Sequence, residues 1–217
     1  MIKVISTVLV LLCNVSAFSQ TKVGWHSDYN YRGLSTKQGG NVQFTNTTKY
    51  SEIWLTRDHA RLNELDVEGY IPIGIFQLGG KYYALFQSED TYEIFARLKL
   101  KNFLGISVGY YHDFKLGDGG VGIIGINQPI YKQGNSTVKA GGTFYMVIAN
   151  DLYVKNDEIK PYAFDVFVEY EHRFLKDISA YVKGIFTEGL DDENIEFFSD
   201  DGESRRLELT AGLNLGF

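Results

Sequence analysis

Four histidines, His26, His59, His112 and His172, are the residues with the widest chemical range in this chain. A histidine that faces a serine can take its proton and turn it into a nucleophile. His112 stands an odd number of positions from Ser107, so on an extended strand the two side chains point to opposite faces. His172 has no serine nearby in sequence, His26 falls on the polar face of its segment, and His59 falls in an expected loop. The chain has no phosphate-binding glycine loop, no dinucleotide glycine motif, no Cys/His zinc spacing and no triad signature. No catalytic, cofactor or metal residue is assigned, and a lipid hydrolase working through His112 or His172 ranks last among the readings.

Charge at every second position is far more abundant. In "KVGWHSDYNYRGL", Lys22, Gly24, His26, Asp28, Asn30 and Arg32 alternate with Val23, Trp25, Ser27, Tyr29 and Tyr31. In "YEIFARLKLK", Glu93, Phe95, Arg97, Lys99 and Lys101 alternate with Tyr92, Ile94, Ala96, Leu98 and Leu100. In "FDVFVEYEHRF", Asp165, Phe167, Glu169 and Glu171 alternate with Phe164, Val166, Val168 and Tyr170. Period two is the signature of a strand with one apolar face. The residues expected on the polar face, lining a lumen, are Asp28, Arg32, Glu64, Asp66, Glu68, Glu93, Arg97, Lys99, Asp165, Glu169, Glu171, Arg173, Lys183, Arg206 and Glu208. With Asp113, Lys22 and Lys101 added, the two signs are nearly balanced. Such a wall either sets a transverse field that admits small polar solutes or closes on itself through salt bridges.

The elements that must hold these residues number about twelve, at about 22–34, 40–48, 50–58, 62–72, 75–87, 91–101, 103–114, 120–131, 137–149, 162–173, 177–188 and 205–217. Pro72 has to sit at a strand end. Connections alternate between tight, as at 101–103 and 174–177, and long, as at 149–161 and 189–204. The composition agrees: 15 Tyr, 15 Phe and 23 Gly against 3 Pro favour strands and turns. A net charge of −6 argues against nucleic acid, and a mean hydropathy of −0.15 excludes a bundle of membrane helices.

The first residues, "MIKVISTVLVLLCNVSAFSQ", read as a signal peptide. Lys3 is the positive start, Val4 to Leu12 the apolar stretch, and Ala17-Phe18-Ser19 the small-x-small cleavage site. The expected division is signal peptide 1–19 and one domain over 20–217. The only cysteine, Cys13, follows Leu11-Leu12 rather than the small residues a lipid anchor needs, so the mature chain carries none.

Alternation also fits a soluble β-sandwich. Two features favour a barrel in a membrane. The polar faces mix charge with glycine, as a narrow lumen does. Aromatics gather near segment ends, at Trp25, Tyr29 and Tyr31, Tyr50 and Trp54, Tyr82, Tyr83 and Phe86, Tyr110 and Tyr111, and Phe144 and Tyr145, as they do at membrane interfaces. Closure pairs every strand edge, which lipid demands and which needs no disulfide. The expected fold is an all-β, antiparallel, up-and-down transmembrane β-barrel of about 12 strands.

Two resemblances sharpen this. The last stretch, "LELTAGLNLGF", resembles the C-terminal signal of Gram-negative outer-membrane proteins; the partner this implies is the barrel-assembly machinery, engaged through Phe217. "WHSDYNYRGLSTKQGGNVQ" resembles the opening of the TorF family of porins, whose first strand runs through a Y-x-(F/Y/W)-R-G-x-S pattern, here Tyr29, Tyr31, Arg32, Gly33 and Ser35. "NELDVEGY" at 63–70 is similar to that family's acidic alternating strand. The resemblance implies the outer membrane, contact with its lipid, and passive diffusion of small polar solutes or ions. The alternative is a non-conducting structural or adhesive barrel using its loops, of which the one with Asp191, Asp192, Glu193, Glu196, Asp200, Asp201 and Glu203 is the most acidic.

Overall fold

The computed structural model describes residues 19–32, 34–36, 39–57, 62–86, 89–100, 105–115, 119–148, 159–190 and 204–216. The leading segment with Cys13, His59, the expected turn at 101–103, the acidic residues of 191–203 and Phe217 lie outside them.

Fourteen strands make up the described chain: β1 (Gln20–His26), β2 (Tyr29–Tyr31), β3 (Leu34–Thr36), β4 (Asn41–Thr47), β5 (Ser51–Arg57), β6 (Leu62–Ile73), β7 (Phe76–Leu85), β8 (Thr91–Leu100), β9 (Ile106–Asp113), β10 (Gly119–Gln133), β11 (Ser136–Ile148), β12 (Ile159–Leu175), β13 (Ile178–Gly189) and β14 (Arg205–Gly216). Twelve of them form one closed barrel in sequence order, with β1 between β14 and β4. Every pairing is antiparallel. The remaining two, β2 and β3, pair only with each other.

The expected count of twelve is thus met, with one correction. The segment at 22–34 is not a single strand. Pairing between β1 and β14 runs from Gln20↔Gly216 to His26↔Thr210 and ends with Ser27, whose N–H bonds Leu209 O at 2.9 Å. The chain then leaves the wall, turns at Arg32 with φ 50°, and returns through Gly39, at φ 72°. The barrel resumes at β4, whose Asn41 faces His26. Alternation in the sequence continues past His26, where the ladders to β14 and β4 both end.

The barrel has unlike ends. At one, the turn end, β6 meets β7 through Gly74-Ile75 and β10 meets β11 through Gly134-Asn135. Gly74 and Gly134 carry φ of 62° and 56°, the left-handed backbone that two-residue hairpins require. At the other, the loop end, the connections include 27–40, 149–158 and 190–204. Pro72 is the last residue but one of β6, at the turn end.

Parity sorts the faces. Val23, Phe44, Leu55 and Leu65 stand opposite one another along neighbouring strands, as do Phe186, Val166, Gly142 and Ile126. This outward face leaves Ile71, Ile94, Val168, Val182 and Leu207 more than half exposed, which in water is a large unfavourable apolar surface and in lipid is the matching one. The aromatic clusters divide. Trp25, Tyr82, Tyr110 and Phe144 face outward, whereas their sequence neighbours Tyr83 and Tyr145 are buried inside. Adjacent residues on a strand cannot share a face, so Tyr83 and Tyr145 do not join the interfacial girdle expected from the sequence.

Inside, charge and glycine alternate for a steric reason. A Cβ on Gly24 would come within 2.5 Å of the Tyr181 hydroxyl, and one on Gly141 within 2.7 Å of the Phe167 ring. Large side chains of one strand lie flat over the glycines of the next, which fills a narrow tube without spreading its wall.

Candidate functional site: the barrel lumen

The hairpin β2–β3 folds into the loop half of the barrel, and Arg32 at its tip makes the attachment. The guanidinium donates to both oxygens of Glu93 on β8, at 2.7 and 2.5 Å. It also donates to the Tyr83 hydroxyl on β7 at 3.1 Å and lies 4.4 Å from the centroid of the Tyr111 ring on β9. Tyr83 in turn donates to Glu93 at 2.5 Å. From the far wall, the Tyr162 hydroxyl on β12 donates to the Arg32 carbonyl at 2.8 Å, and β3 lies against β13. Side chain and backbone of one residue therefore bridge the lumen from β7–β9 to β12. The side chains of Arg32 and Glu93 are 11% and 2% exposed, so the pair works away from bulk water, where a forked guanidinium–carboxylate contact is strongest. An apolar cluster of Val121, Tyr145, Val147, Tyr162 and Ala163, with Ile123 against it, adjoins this bridge.

The other expected lumen residues are placed as follows. Glu64, Asp66 and Glu68 on β6, Glu93, Arg97 and Lys99 on β8, Asp165, Glu169, Glu171 and Arg173 on β12, Lys183 on β13, and Arg206 and Glu208 on β14 all have the parity opposite to the apolar ladder. Asp28 and Arg32 lie beyond β1, on the chain that enters the lumen. Glu68 pairs with Arg97. Asp66 holds Lys81 at 2.6 Å. Glu169 and Glu171 share Lys139 at 2.8 and 2.7 Å, and Glu171 also accepts from Ser179 at 2.6 Å. Asp165 accepts from the Tyr145 hydroxyl at 2.6 Å. Glu208 holds His26 at 2.6 Å. Asp28 stands 3.8 Å from Arg206, and its carbonyl accepts from Asn41 at 3.0 Å, which fixes the start of the inward excursion.

Two spaces remain. One of about 680 Å³ opens at the turn end among Thr47, Lys49, Tyr70, Pro72, Gln77 and Lys99. The other, of about 160 Å³, lies between β1, β4 and β12–β14, lined by Lys22, His26, Gln43, Thr45, Tyr181, Lys183 and Thr210, among others.

The sequence reading missed Lys81 and Lys139, the bases that hold Asp66 and the Glu169–Glu171 pair. Parity carried the signal, since Lys81 alternates with Gly79 and Tyr83, and Lys139 with Gly141 and Thr143. It also missed a histidine contact. Ser136 on β11 stands directly across from His172 on β12, with Oγ 2.9 Å from Nδ1, a neighbour in space though not in sequence. Tyr170 joins them through Ser136 at 3.1 Å, and the His172 ring meets Phe174 edge-on at 4.9 Å. Among the described residues no carboxylate bonds this histidine, and the cluster reads as part of the turn-end girdle. His112 lies outward between Tyr110 and Phe114, and Ser107 has the inward parity of Gly109 and Tyr111, so that pair is split as expected.

A closed twelve-stranded antiparallel barrel, apolar outside and charged inside, defines the class. Among solved structures the chain is similar to the NanC porin, at 11% identity and a TM-score of 0.51, over 92% of this chain and 100% of that one. It also matches the KdgM porin (12% identity, TM-score 0.45, 92% and 99% covered). The outer membrane protein Omp33 of Acinetobacter baumannii matches at 10% identity and a TM-score of 0.44, with 94% and 100% covered. At these identities the likeness is one of fold. No family model matches the sequence, and no curated protein does.

Proposed function

We propose that the chain is an outer-membrane porin through which small polar solutes or ions diffuse passively. The single observation that carries this is the inner wall: charged and hydroxyl-bearing side chains face a closed lumen with free space at its centre and at its turn end. Under this reading the turn end is periplasmic, the loop end extracellular, and residues 1–19 a signal peptide removed on export. Phe217 is the contact for the barrel-assembly machinery, and the apolar face meets outer-membrane lipid. Tyr29, Arg32 and Ser35 support kinship with TorF porins through the sequence pattern alone. The fifteen expected residues line the path, with Arg32 and Glu93 at its narrowest point.

One feature favours a second reading, a barrel that does not conduct. The Arg32 bridge crosses the loop half, and a lumen so bridged can be a plug. Single-channel recording of residues 20–217 in a planar bilayer, with a salt gradient, separates the two. Reproducible conductance steps support the porin; a correctly folded, heat-modifiable barrel without steps leaves the plugged barrel standing. A lipid hydrolase would need Ser136 and His172, and unchanged lipid hydrolysis after His172→Ala rejects it.

A further inference from the structure

The smaller cavity is lined by two inner-wall lysines that make no ion pair among the described residues. Lys22 on β1 and Lys183 on β13 line it from either side of β14, opposite Asn214 and Thr210 respectively. Neither ammonium makes an ion pair or hydrogen bond among the described residues. Lys183 lies 4.4 Å from the Phe167 ring centroid and Lys22 lies 6.0 Å from that of Tyr181. Four other bases on the wall differ: Arg32, Lys81, Arg97 and Lys139 each hold a carboxylate. The nearby carboxylates have other donors, since Glu169 is held by Lys139, Glu208 by His26 and Asp165 by Tyr145. Lys183 is partly withdrawn from water while Lys22 is exposed, and an anion entering between the two would give each a direct partner that Glu169, bonded to Lys139, does not.

We propose that this cavity is a binding subsite for one small oxyanion, a carboxylate or phosphate group, held between Lys22 and Lys183. The remaining lining holds one carboxylate, Glu169, which Lys139 bonds, and several neutral donors. The hydroxyls of Thr45, Thr210 and Tyr181 and the amide of Gln43 are short donors around a space of about 160 Å³, which takes one such group and not a long chain. Glu169 in the lining, with Asp165 and Glu208 close by, keeps the hold weak, as a site within a path requires if its ligand is to leave. The subsite deepens the porin reading and rests on it for its role in transport, but binding itself is measurable without conduction.

The protein carries its own reporter. Trp54 donates its indole N–H to Gln43 at 3.3 Å, and Gln43 lines the cavity, whereas the only other tryptophan, Trp25, faces outward. Refolded residues 20–217 with Trp25→Phe, in detergent, are titrated with inorganic phosphate against a chloride background while Trp54 fluorescence is read. A saturable change is expected, weakened about tenfold or more by Lys183→Met and by a smaller factor by Lys22→Met, because one charge-assisted contact is lost in each. Lys183→Arg is expected to retain binding, and it stands in should the methionine variant fail to fold. Lys49→Met, in the turn after β4, leaves binding unchanged. Absence of saturation up to about 50 mM phosphate, too weak for a built site, overturns the proposal; so does equal binding by the wild type, Lys22→Met and Lys183→Met. Binding without conductance would reject the porin and keep the subsite; conductance without binding would do the reverse.

Discussion

The two halves of the lumen are built from the same alternating strands and come out differently. Toward the loop end, Arg32 is clasped by Glu93, Tyr83, Tyr111 and Tyr162, and the interior is crossed. Toward the turn end a space of about 680 Å³ is bordered by Lys49, Lys99, Tyr70 and Gln77. Wall chemistry is not the cause, because both halves carry charge. The loop half is filled because residues 27–40 have length enough to turn inward, whereas Gly74-Ile75 or Gly134-Asn135 have none to spare. What narrows a barrel of this size is therefore its connections rather than its strands.

Removing residues 29–36 and joining the flanks with a short glycine–serine linker is the harshest way to break this comparison. Single-channel conductance is then expected to rise severalfold; no change would place the narrowest point elsewhere. Glu93→Ala comes next, leaving Arg32 charged and without its carboxylate, at a cost of about 3–5 kcal/mol, read as a lower midpoint of urea unfolding. The double cycle with Arg32→Ala should return a coupling of about 1.5–3 kcal/mol, and additivity would mean that the clasp is not an energetic unit. Arg32→Lys keeps the charge but loses the fork, with an expected loss of about 1–2 kcal/mol and noisier open-channel current. At the other end, Lys99→Cys in residues 20–217, labelled with a bulky maleimide from the turn-end side, is expected to reduce conductance partially, since the space there is wide. The smallest effect is expected from Lys49→Ala, whose side chain lies over the Tyr50 ring at the mouth and whose loss shifts ion selectivity slightly, if measured as a reversal potential.

Much of this was readable in the residues. The alternation of β8, β12 and β14 fixed which side chains face inward, and thirteen of the fifteen expected lumen residues lie on strands with that parity. Asp28 and Arg32 enter the barrel interior by a route that alternation does not predict. Their parity within "HSDYNYRGL" continues that of β1, but they enter the lumen because β1 stops at His26 and the chain bends in. Nothing local marks that stop: β4 begins opposite His26, and β14 runs on to Arg205 paired with β13 alone. The same limit hid the His172–Ser136 contact, which the cross-strand register creates.

The seam where β1 meets β14 has a temporal consequence. It couples partners such as His26 and Glu208, 182 positions apart, and each half of the chain alone would leave two unpaired edges in lipid. Contacts between such distant positions are the slowest to form, because the whole intervening chain must be ordered before they give anything back. Insertion is thus expected to be concerted and late, with no stable partial cylinder on the way and with the β1–β14 ladder the last to gain protection from hydrogen exchange.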